Sequence, residues 1–295
     1  MLFALTLAGP DAEAVRNAAY RVRALAAAAG EVKSTAWLGP GGADVMMESQ
    51  DRLAVAAVAQ AAVEDASVDV CVQPSEGRRK RLLLADMDST IIGCECLDEL
   101  ADYAGVKAEV TEVTERAMRG EIAFEGALRE RVSKLKGLQA DVLTRCYAER
   151  VRLNPGARIL VQTLVANGVR CVLVSGGFEA FTGPVAEAAG FTTHHANRLL
   201  VQDARLTGTV GEPILGRAAK LEALRHHAAE LGVGLGAALA VGDGANDLAM
   251  IEAAGLGVAY RAKPVVAERA DARLDHADLT ALLYFQGYRA SDFID

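Results

Sequence analysis

The sequence is poor in aromatic residues, which make up 5% of its 295 positions. Because large rings are few and alanine is abundant, we expect a core packed mainly by helices. No stretch approaches the roughly 18 consecutive apolar residues that a membrane-spanning helix needs. The first residues, 1–5, also lack the basic segment that opens a signal peptide. These absences predict a cytoplasmic protein with no membrane partner.

Cysteine is also sparse, and the five cysteines are scattered along the chain: Cys71, Cys94, Cys96, Cys146 and Cys171. An odd, scattered set is unlike a disulfide framework. The pair Cys94 and Cys96 has no second pair with which to complete a zinc site. We therefore expect reduced, buried thiols.

Positive charge is in deficit, since the formal net charge is −8. A nucleic-acid partner is not expected, because phosphate backbones require a basic surface. If the protein handles phosphate, a metal ion or a few cations must meet it locally. Four consecutive basic residues at 78–81 lie close to Pro74 and Gly77, a context typical of a solvated linker.

Residues 1–76 form a self-contained pattern. It predicts, in order, a strand at 2–8, a helix at 11–29 capped by Asp11, strands at 32–38 and 43–48 around a Gly-Pro-Gly-Gly turn, a helix at 51–66 and a strand at 68–72. The order βαββαβ is that of a ferredoxin-like domain.

Residues 77–295 show a different organisation. After an apolar strand at 82–85, the region from about 94 to 151 is charged and helical, with no strand pattern. Strands and helices then alternate, with strands at 169–174, 237–241, 257–260 and 273–274 and helices at 156–166, 178–189, 217–231 and 248–254. This alternation predicts an α/β fold with a doubly wound parallel sheet, into which a helical cap is inserted after the first strand. Residues 192–211 are expected to hold a β-hairpin.

Two carboxylates directly follow the apolar strand at 82–85. Ligand chemistry in open α/β sheets lies at the carboxyl ends of such strands. In extended chain, the i, i+2 spacing of Asp86 and Asp88 puts both side chains on one face, roughly 6.5–7 Å apart. One could attack a substrate while the other handles the proton of the leaving group.

Three further segments carry polar residues where the predicted helices meet the strands. Ser175 and Gly176 follow a strand, where glycine backbone can approach an anion. Lys220 lies near the start of a helix and could offset negative charge. Asp243 and Asp247 follow another strand and supply the hard oxygen ligands that suit Mg²⁺. Each segment alone is more often a plain turn, a solvated lysine or a capped loop.

The combination of these segments resembles the haloacid dehalogenase-like phosphotransferase superfamily over about residues 82–290. Within the cap, Glu95, Met118, Phe124 and residues 127–132 are similar to the phosphoserine phosphatases of that superfamily. The unit at 1–76 resembles the ACT-type, amino-acid-binding domain that is often fused to those enzymes.

The resemblance implies a reaction on the phosphate of O-phosphoserine. Asp86 would be the nucleophile that forms an aspartyl-phosphate, Asp88 the general acid and base, and Lys220 a second positive charge beside the metal. Mg²⁺ would be held by Asp86, the carbonyl of Asp88 and Asp243, while Asp247 would orient Lys220 or a metal-bound water.

The resemblance also implies how the substrate is held. Ser175 and the Gly176 amide would hold phosphate oxygens, and Asn246 would contact the substrate or the phosphoryl group. In the cap, Glu95 would pair with the ammonium of phosphoserine, and Arg131 would form a fork with its carboxylate. Met118 and Phe124 would shield the pocket, although helical core packing is the ordinary explanation for such residues.

Three alternatives remain open at this stage. The enzyme could act on another small phosphomonoester, or it could transfer the phosphoryl group to an alcohol acceptor such as homoserine. A non-catalytic amino-acid sensor is disfavoured by the intact Asp86, Asp88, Lys220 and Asp243. The unit at 1–76 is expected to bind an amino acid such as serine, or to pair two copies into a homodimer, by analogy of fold alone.

Overall fold

A computed structural model of the chain describes residues 1–118 and 121–295, except for the side chain of Met118. The N-terminal unit has the predicted βαββαβ order. Its elements are β1 (Leu2–Ala8), α1 (Ala12–Leu25), β2 (Glu31–Gly39), β3 (Gly42–Glu48), α2 (Arg52–Val63) and β4 (Asp69–Pro74). The four strands form an antiparallel sheet in the order β2-β3-β1-β4, as in a ferredoxin-like domain. The predicted boundary at residues 76 and 77 stays a prediction.

Both helices of this unit begin at the aspartates that the sequence places before them. Asp11 accepts a hydrogen bond from Glu13 N, and Asp51 accepts from the backbone N–H groups that open α2. Such caps satisfy amide groups that have no partner inside the helix. The first helix is shorter than predicted, because residues 26–28 tighten into a 3₁₀ turn.

The rest of the described chain contains eight strands: β5 (Leu82–Ala85), β6 (Arg170–Phe178), β7 (Thr193–Asn197), β8 (Leu199–Gln202), β9 (Arg205–Val210), β10 (Ala238–Gly242), β11 (Leu256–Tyr260) and β12 (Ala272–Leu274). Six of them form a wholly parallel sheet in the order β12-β11-β10-β5-β6-β7. Every residue of β5 and β10 is buried, which explains their continuous apolar runs. The predicted α/β fold class is confirmed.

The helices that follow β4 are α3 (Cys96–Tyr103), α4 (Lys107–Met118), α5 (Phe124–Ser133), α6 (Asp141–Arg150), α7 (Ala157–Ala166), α8 (Glu179–Ala189), α9 (Arg217–Glu230), α10 (Leu248–Ala253), α11 (Pro264–Ala267) and α12 (Ala281–Phe285). Helices α3 to α6 lie between β5 and β6 in the chain and form the cap. The hairpin of β8 and β9 joins it through hydrogen bonds from Gly137 N to Leu206 O and from Leu206 N to Leu138 O, at 2.8 and 2.9 Å. None of the helices in the described part of the chain is long and apolar enough to cross a membrane.

The structure departs from the sequence-based expectation at the edge of the parallel sheet. Residues 193–197 contribute β7 as its sixth strand, while the predicted hairpin is confined to β8 and β9. The sequence of β7 is Thr-His-His-Ala-Asn, and its first three residues are only half-buried. An edge strand of this kind contains no apolar run, so its sequence does not indicate a strand of the parallel sheet.

Candidate active site

Asp86 is the first residue after β5, and it opens a wide turn. Its side chain accepts a hydrogen bond from Met87 N at 2.8 Å. The turn spans Met87–Ile91 with π-helical spacing, and Ile92 N closes it on Met87 O at 3.0 Å. Within it, Ser89 has a left-handed φ of 59°. Such a backbone is uncommon for a residue with a side chain and occurs most at functional sites.

The buried ammonium group of Lys220 lies between two carboxylates that follow different strands, Asp86 after β5 and Asp247 after β10. Lys220 Nζ lies 2.6 Å from Asp86 Oδ1 and 2.6 Å from Asp247 Oδ1. All three residues are at most 5% exposed. The other Asp247 oxygen, Oδ2, accepts from Gly244 N at 3.0 Å. Lys220 reaches both carboxylates because α9 packs against β5 and β6, while the turn after β10 carries Asp247.

The charges of this cluster do not balance. Burial, followed by the neighbouring Asp247 carboxylate, raises the pKa of Asp86 well above its usual range. Burial and Asp247 likewise raise the pKa of Asp243. Burial disfavours the Lys220 ammonium, but Asp247 and Asp86 outweigh it and raise the pKa of Lys220. One cation therefore serves several buried carboxylates, and a further positive charge would stabilise the site.

The same carboxylates are placed to hold a metal ion. Oxygen atoms of Asp86, Asp243 and Asp247 lie within 4.8 Å of one another, and Thr90 Oγ1 donates to Asp243 Oδ1 at 3.3 Å. An all-carboxylate donor set with surplus negative charge fits a hard divalent cation such as Mg²⁺. Asp88 is predicted to hold the ion through its backbone carbonyl, and its carboxylate makes hydrogen bonds with Cys96 N and Ser175 Oγ. The share of that carbonyl in the metal site stays a prediction.

A second group of metal-ligand side chains, His226, His227 and Glu230, lies on α9. Arg170 Nη1 is already 2.6 Å from Glu230 Oε2. The guanidinium therefore occupies the charge-compensating position that a cation would take.

Asp88 is held on both sides. Its Oδ1 accepts from Cys96 N at 3.0 Å, at the start of α3. Its Oδ2 accepts from Ser175 Oγ at 2.9 Å, and Ser175 Oγ itself accepts from Gly177 N at 2.8 Å. The hydroxyl that was predicted to contact phosphate thus points its proton at Asp88. It would have to turn from Asp88 to bind a phosphoryl oxygen.

Residues 175–177 leave the regular ladder of the sheet. The register between β6 and β7 breaks between Val174 and Phe178. The sequence predicted a helix from residue 178, whereas α8 starts at Glu179 and β6 continues to Phe178. The ring of Phe124, the first residue of α5, packs over this segment, since a Cβ built on Gly176 would lie 3.3 Å from Phe124 Cζ. The cap therefore contacts the core at Gly176.

The cap supplies one carboxylate and one guanidinium. Ser89 Oγ donates to Glu95 Oε1 at 2.7 Å. Glu95 keeps an exposed surface, but desolvation of its carboxyl group by the surrounding protein, followed by the charge of Asp88, raises its pKa to about 7. Arg131 Nε donates to Ala127 O at 3.3 Å, and Arg131 Nη1 lies at 3.5 Å from Thr114 Oγ1. Burial lowers the pKa of Arg131, against the opposing charges of Asp98 and Glu95.

Two predicted residues add little to this geometry. The side chain of Asn246 lies over Gly244 and is half-buried. The side chain of Met118 lies outside the described residues, so its predicted place in the pocket stays a prediction.

Sequence reasoning assigned no role to Thr90 or to Asn197. Thr90 lies with the two aspartates in the segment 86–90, and only the structure shows its hydrogen bond to Asp243. Asn197 lies on the edge strand β7, where its sequence neighbours offered no signal.

Comparison with known proteins agrees with this architecture. A model of the haloacid dehalogenase-like hydrolase family matches residues 83–252. A phosphoserine phosphatase from Streptomyces coelicolor is 45% identical over 235 residues, which cover 80% of this chain and 57% of the relative. The chain thus matches little more than half the length of that relative.

Two solved structures are also similar. A haloacid dehalogenase family hydrolase from Salmonella enterica serovar Typhi superposes with a TM-score of 0.84 at 26% identity, covering 97% of this chain and 98% of the other. A phospho-aspartyl intermediate analogue of phosphoserine phosphatase is 40% identical with a TM-score of 0.65, covering 70% of this chain and 99% of the other. These matches, together with the acidic residues Asp86 and Asp243 that directly follow β5 and β10, show that the chain belongs to the haloacid dehalogenase-like hydrolase family.

Proposed function

We propose that this chain is a Mg²⁺-dependent phosphatase that hydrolyses O-phosphoserine to serine and phosphate, the last step of serine biosynthesis. The observation that carries the proposal is the pairing of two differently held carboxylates. Asp86 faces the Lys220 ammonium at 2.6 Å, while Asp88 is bonded to Ser175 at 2.9 Å. The names of the relatives, phosphoserine phosphatases at 40–45% identity, support the substrate.

The two carboxylates have different tasks in this scheme. An oxygen of Asp86 attacks phosphorus, and the bond from phosphorus to the serine oxygen breaks. Asp88 gives the departing oxygen its proton. Lys220 stabilises the negative charge that spreads over the phosphoryl oxygens. The products of this half are free serine and an aspartyl-phosphate at residue 86.

The second half returns the enzyme to its starting state. Asp88, now ionised, accepts a proton from water as the water oxygen attacks phosphorus. The bond between phosphorus and the Asp86 oxygen breaks, which releases inorganic phosphate. An alcohol in place of water would give phosphoryl transfer instead, so the acceptor decides between hydrolase and transferase.

Mg²⁺ fits the residues present, because Asp86 and Asp243 offer hard oxygens and their pKa values are raised by burial and by Asp247. Together with the Asp88 carbonyl they would hold the ion, while Asp247 would orient Lys220 or a metal-bound water. When bound, it supplies the positive charge that lets an anionic nucleophile approach an anionic ester.

Substrate choice belongs to the cap. Glu95 follows the turn that carries Asp88, and Arg131 lies near enough to feel the charges of Asp98 and Glu95. A carboxylate and a guanidinium match the ammonium and carboxylate of phosphoserine. The ring of Phe124 lies beside Gly176, where it would shield a bound phosphate from water.

The central test concerns Asp86. We expect Asp86→Asn to lose phosphate release from O-phosphoserine by at least about a thousandfold, because the nucleophile is removed. Release is measured with and without MgCl₂, and again with serine and homoserine as acceptors to detect transfer. Undiminished release by Asp86→Asn, with deamidation excluded by mass spectrometry, would refute the mechanism.

A second test separates chemistry from recognition. Arg131→Ala should lose about tenfold or more in kcat/KM on O-phosphoserine, since a charged hydrogen bond is removed, and should retain its activity on p-nitrophenyl phosphate. Arg129→Ala on the same helix is the matched control, because Arg129 pairs with Glu212 at the surface. An equal loss on both substrates would mean that Arg131 holds the cap together rather than the substrate.

A further inference from the structure

Asn197 at the end of β7 is buried, and its amide is fully engaged with backbone groups of two separate segments. It is 2% exposed. Its Nδ2 donates to Gly176 O at 2.9 Å and lies 3.4 Å from Leu215 O, while its Oδ1 accepts from Leu215 N at 2.7 Å. A buried polar side chain is costly unless it is hydrogen-bonded, so this arrangement is a fixed part of the structure.

The first of these segments is the irregular part of β6. The peptide unit between Gly176 and Gly177 is held at both ends, because Asn197 binds its carbonyl and Ser175 Oγ accepts from its N–H at 2.8 Å. A peptide unit is planar, so two anchors fix its orientation. The Gly176 amide that precedes it is the group assigned to phosphate in the proposed function.

The second segment leads to the buried lysine. Leu215 is two residues before α9, and Lys220 lies in the first turns of that helix. The paired hydrogen bonds between Asn197 and the Leu215 backbone therefore fix the start of α9. One side chain thus connects the segment that would bind phosphate with the helix that carries the compensating ammonium.

We propose that Asn197 is a positioning residue for phosphate binding, because it sets the Gly176 turn and the start of α9 relative to each other. It does not touch the substrate itself. This inference rests on the proposed function for the identity of the ester, but it requires only that the site bind a phosphate group.

The test uses two variants of the full chain. Asn197→Ala removes both sets of hydrogen bonds. Asn197→Asp keeps an acceptor for Leu215 N and, with little change of shape, replaces the Nδ2 donor that faces Gly176 O and Leu215 O. We expect both to weaken the binding of inorganic phosphate, measured by calorimetry in MgCl₂, by about tenfold, the effect of one well-placed hydrogen bond.

The kinetic signature should differ from that of the cap residues. Both variants should lose kcat/KM by similar factors on O-phosphoserine and on p-nitrophenyl phosphate, because the phosphate is common to them. Asn167→Ala serves as the control, since Asn167 Nδ2 also donates to a backbone carbonyl, Thr163 O at 2.8 Å, but at the far end of α7. It should bind phosphate as the wild type does.

The outcomes separate this inference from the proposed function. Wild-type phosphate affinity in Asn197→Asp, with only a lower Tm, would reduce Asn197 to a structural role and overturn the inference. A wild type that binds no inorganic phosphate would overturn it as well. A wild type that leaves O-phosphoserine intact, yet binds phosphate with an affinity that falls in Asn197→Asp, would refute the substrate and support the inference.

Discussion

Glu95 combines a carboxylate with surroundings that hold it close to neutrality. It accepts a hydrogen bond from Ser89 Oγ at 2.7 Å, but desolvation of its carboxyl group and the charge of Asp88 raise its pKa to about 7. An acid with a raised pKa is neutral below that pH and ionised above it. Only the ionised form can pair with an ammonium group.

The expected pH dependence follows from the direction of this pKa shift. The KM for O-phosphoserine should fall as the pH rises through about 7, as Glu95 ionises, and kcat/KM should rise over the same range. p-Nitrophenyl phosphate has no ammonium and should show no such step. Steady-state kinetics from about pH 6 to about pH 8.5 on wild type and Glu95→Gln provide the check. A step that persists in the variant would assign the titration to another group.

The site residues differ in how visible they are in the sequence. Asp86 and Asp243 follow wholly apolar strands, so their position at the carboxyl ends of the parallel strands could be predicted from the sequence. The bonds of Lys220 to two carboxylates depend on where α9 packs, which no local pattern encodes. Asn197 was missed for the same reason, because its partners, Gly176 and Leu215, lie about 20 residues away on either side.

At the scale of elements, the end of β10 lies against the carboxylate of Asp247, which accepts a hydrogen bond from Lys220. A Cβ built on Gly242 would lie 2.6 Å from Asp247 Oδ2. Gly242→Ala should therefore push Asp247 away from Lys220. We expect a loss of about 1–3 kcal/mol in the free energy of unfolding from overpacking, with a larger relative loss of kcat.

A glycine just before the same strand is the matched control for Gly242. Gly234 has open space where its Cβ would be and a negative φ of −76°. Gly234→Ala should leave both denaturant unfolding and phosphate release near wild type. Full activity in Gly242→Ala, measured by the same phosphate assay, would show that Asp247 can move without consequence.

The elements themselves were predictable where an apolar run is long enough to show a pattern. The strands β1 and β5 begin and end at the predicted residues, and all their residues except Leu2 are buried. The half-buried β7, as a strand of the parallel sheet, and the short helices α11 and α12 were missed. The residues of β7 form no apolar run, and helices of four or five residues are too short to show a periodic pattern, although every residue of α12 is buried.

At the scale of the whole molecule, a buried carboxylate joins the N-terminal unit to the parallel sheet. Asp69, the first residue of β4, is 5% exposed and accepts hydrogen bonds from the backbone N–H groups of Asp275, His276 and Ala277, at 2.8 to 3.3 Å. Burial raises its pKa, against the effect of these bonds. A second connection is the ion pair of Arg78 with Asp44 at 2.7 Å.

Asp69→Ala should loosen this joint. Three backbone N–H groups lose their acceptor, which we expect to lower the free energy of unfolding by about 3 kcal/mol. The contact between the units is expected to open before either unit unfolds, so trypsin should cut the basic linker at 78–81 faster than in the wild type. The measurements are urea unfolding and the rate of limited proteolysis.

Asp51→Ala is the control, because it removes an aspartate from the same unit at a site far from the joint. Asp51 caps α2 through Leu53 N and Ala54 N, and its loss should cost about 1 kcal/mol. In this variant, trypsin should cut the linker only slightly faster than in the wild type, in proportion to the small loss of stability. If Asp51→Ala and Asp69→Ala expose the linker equally at matched stability, the joint is not held by Asp69. Protection would then come from the apolar contact of Tyr284 with Gly42.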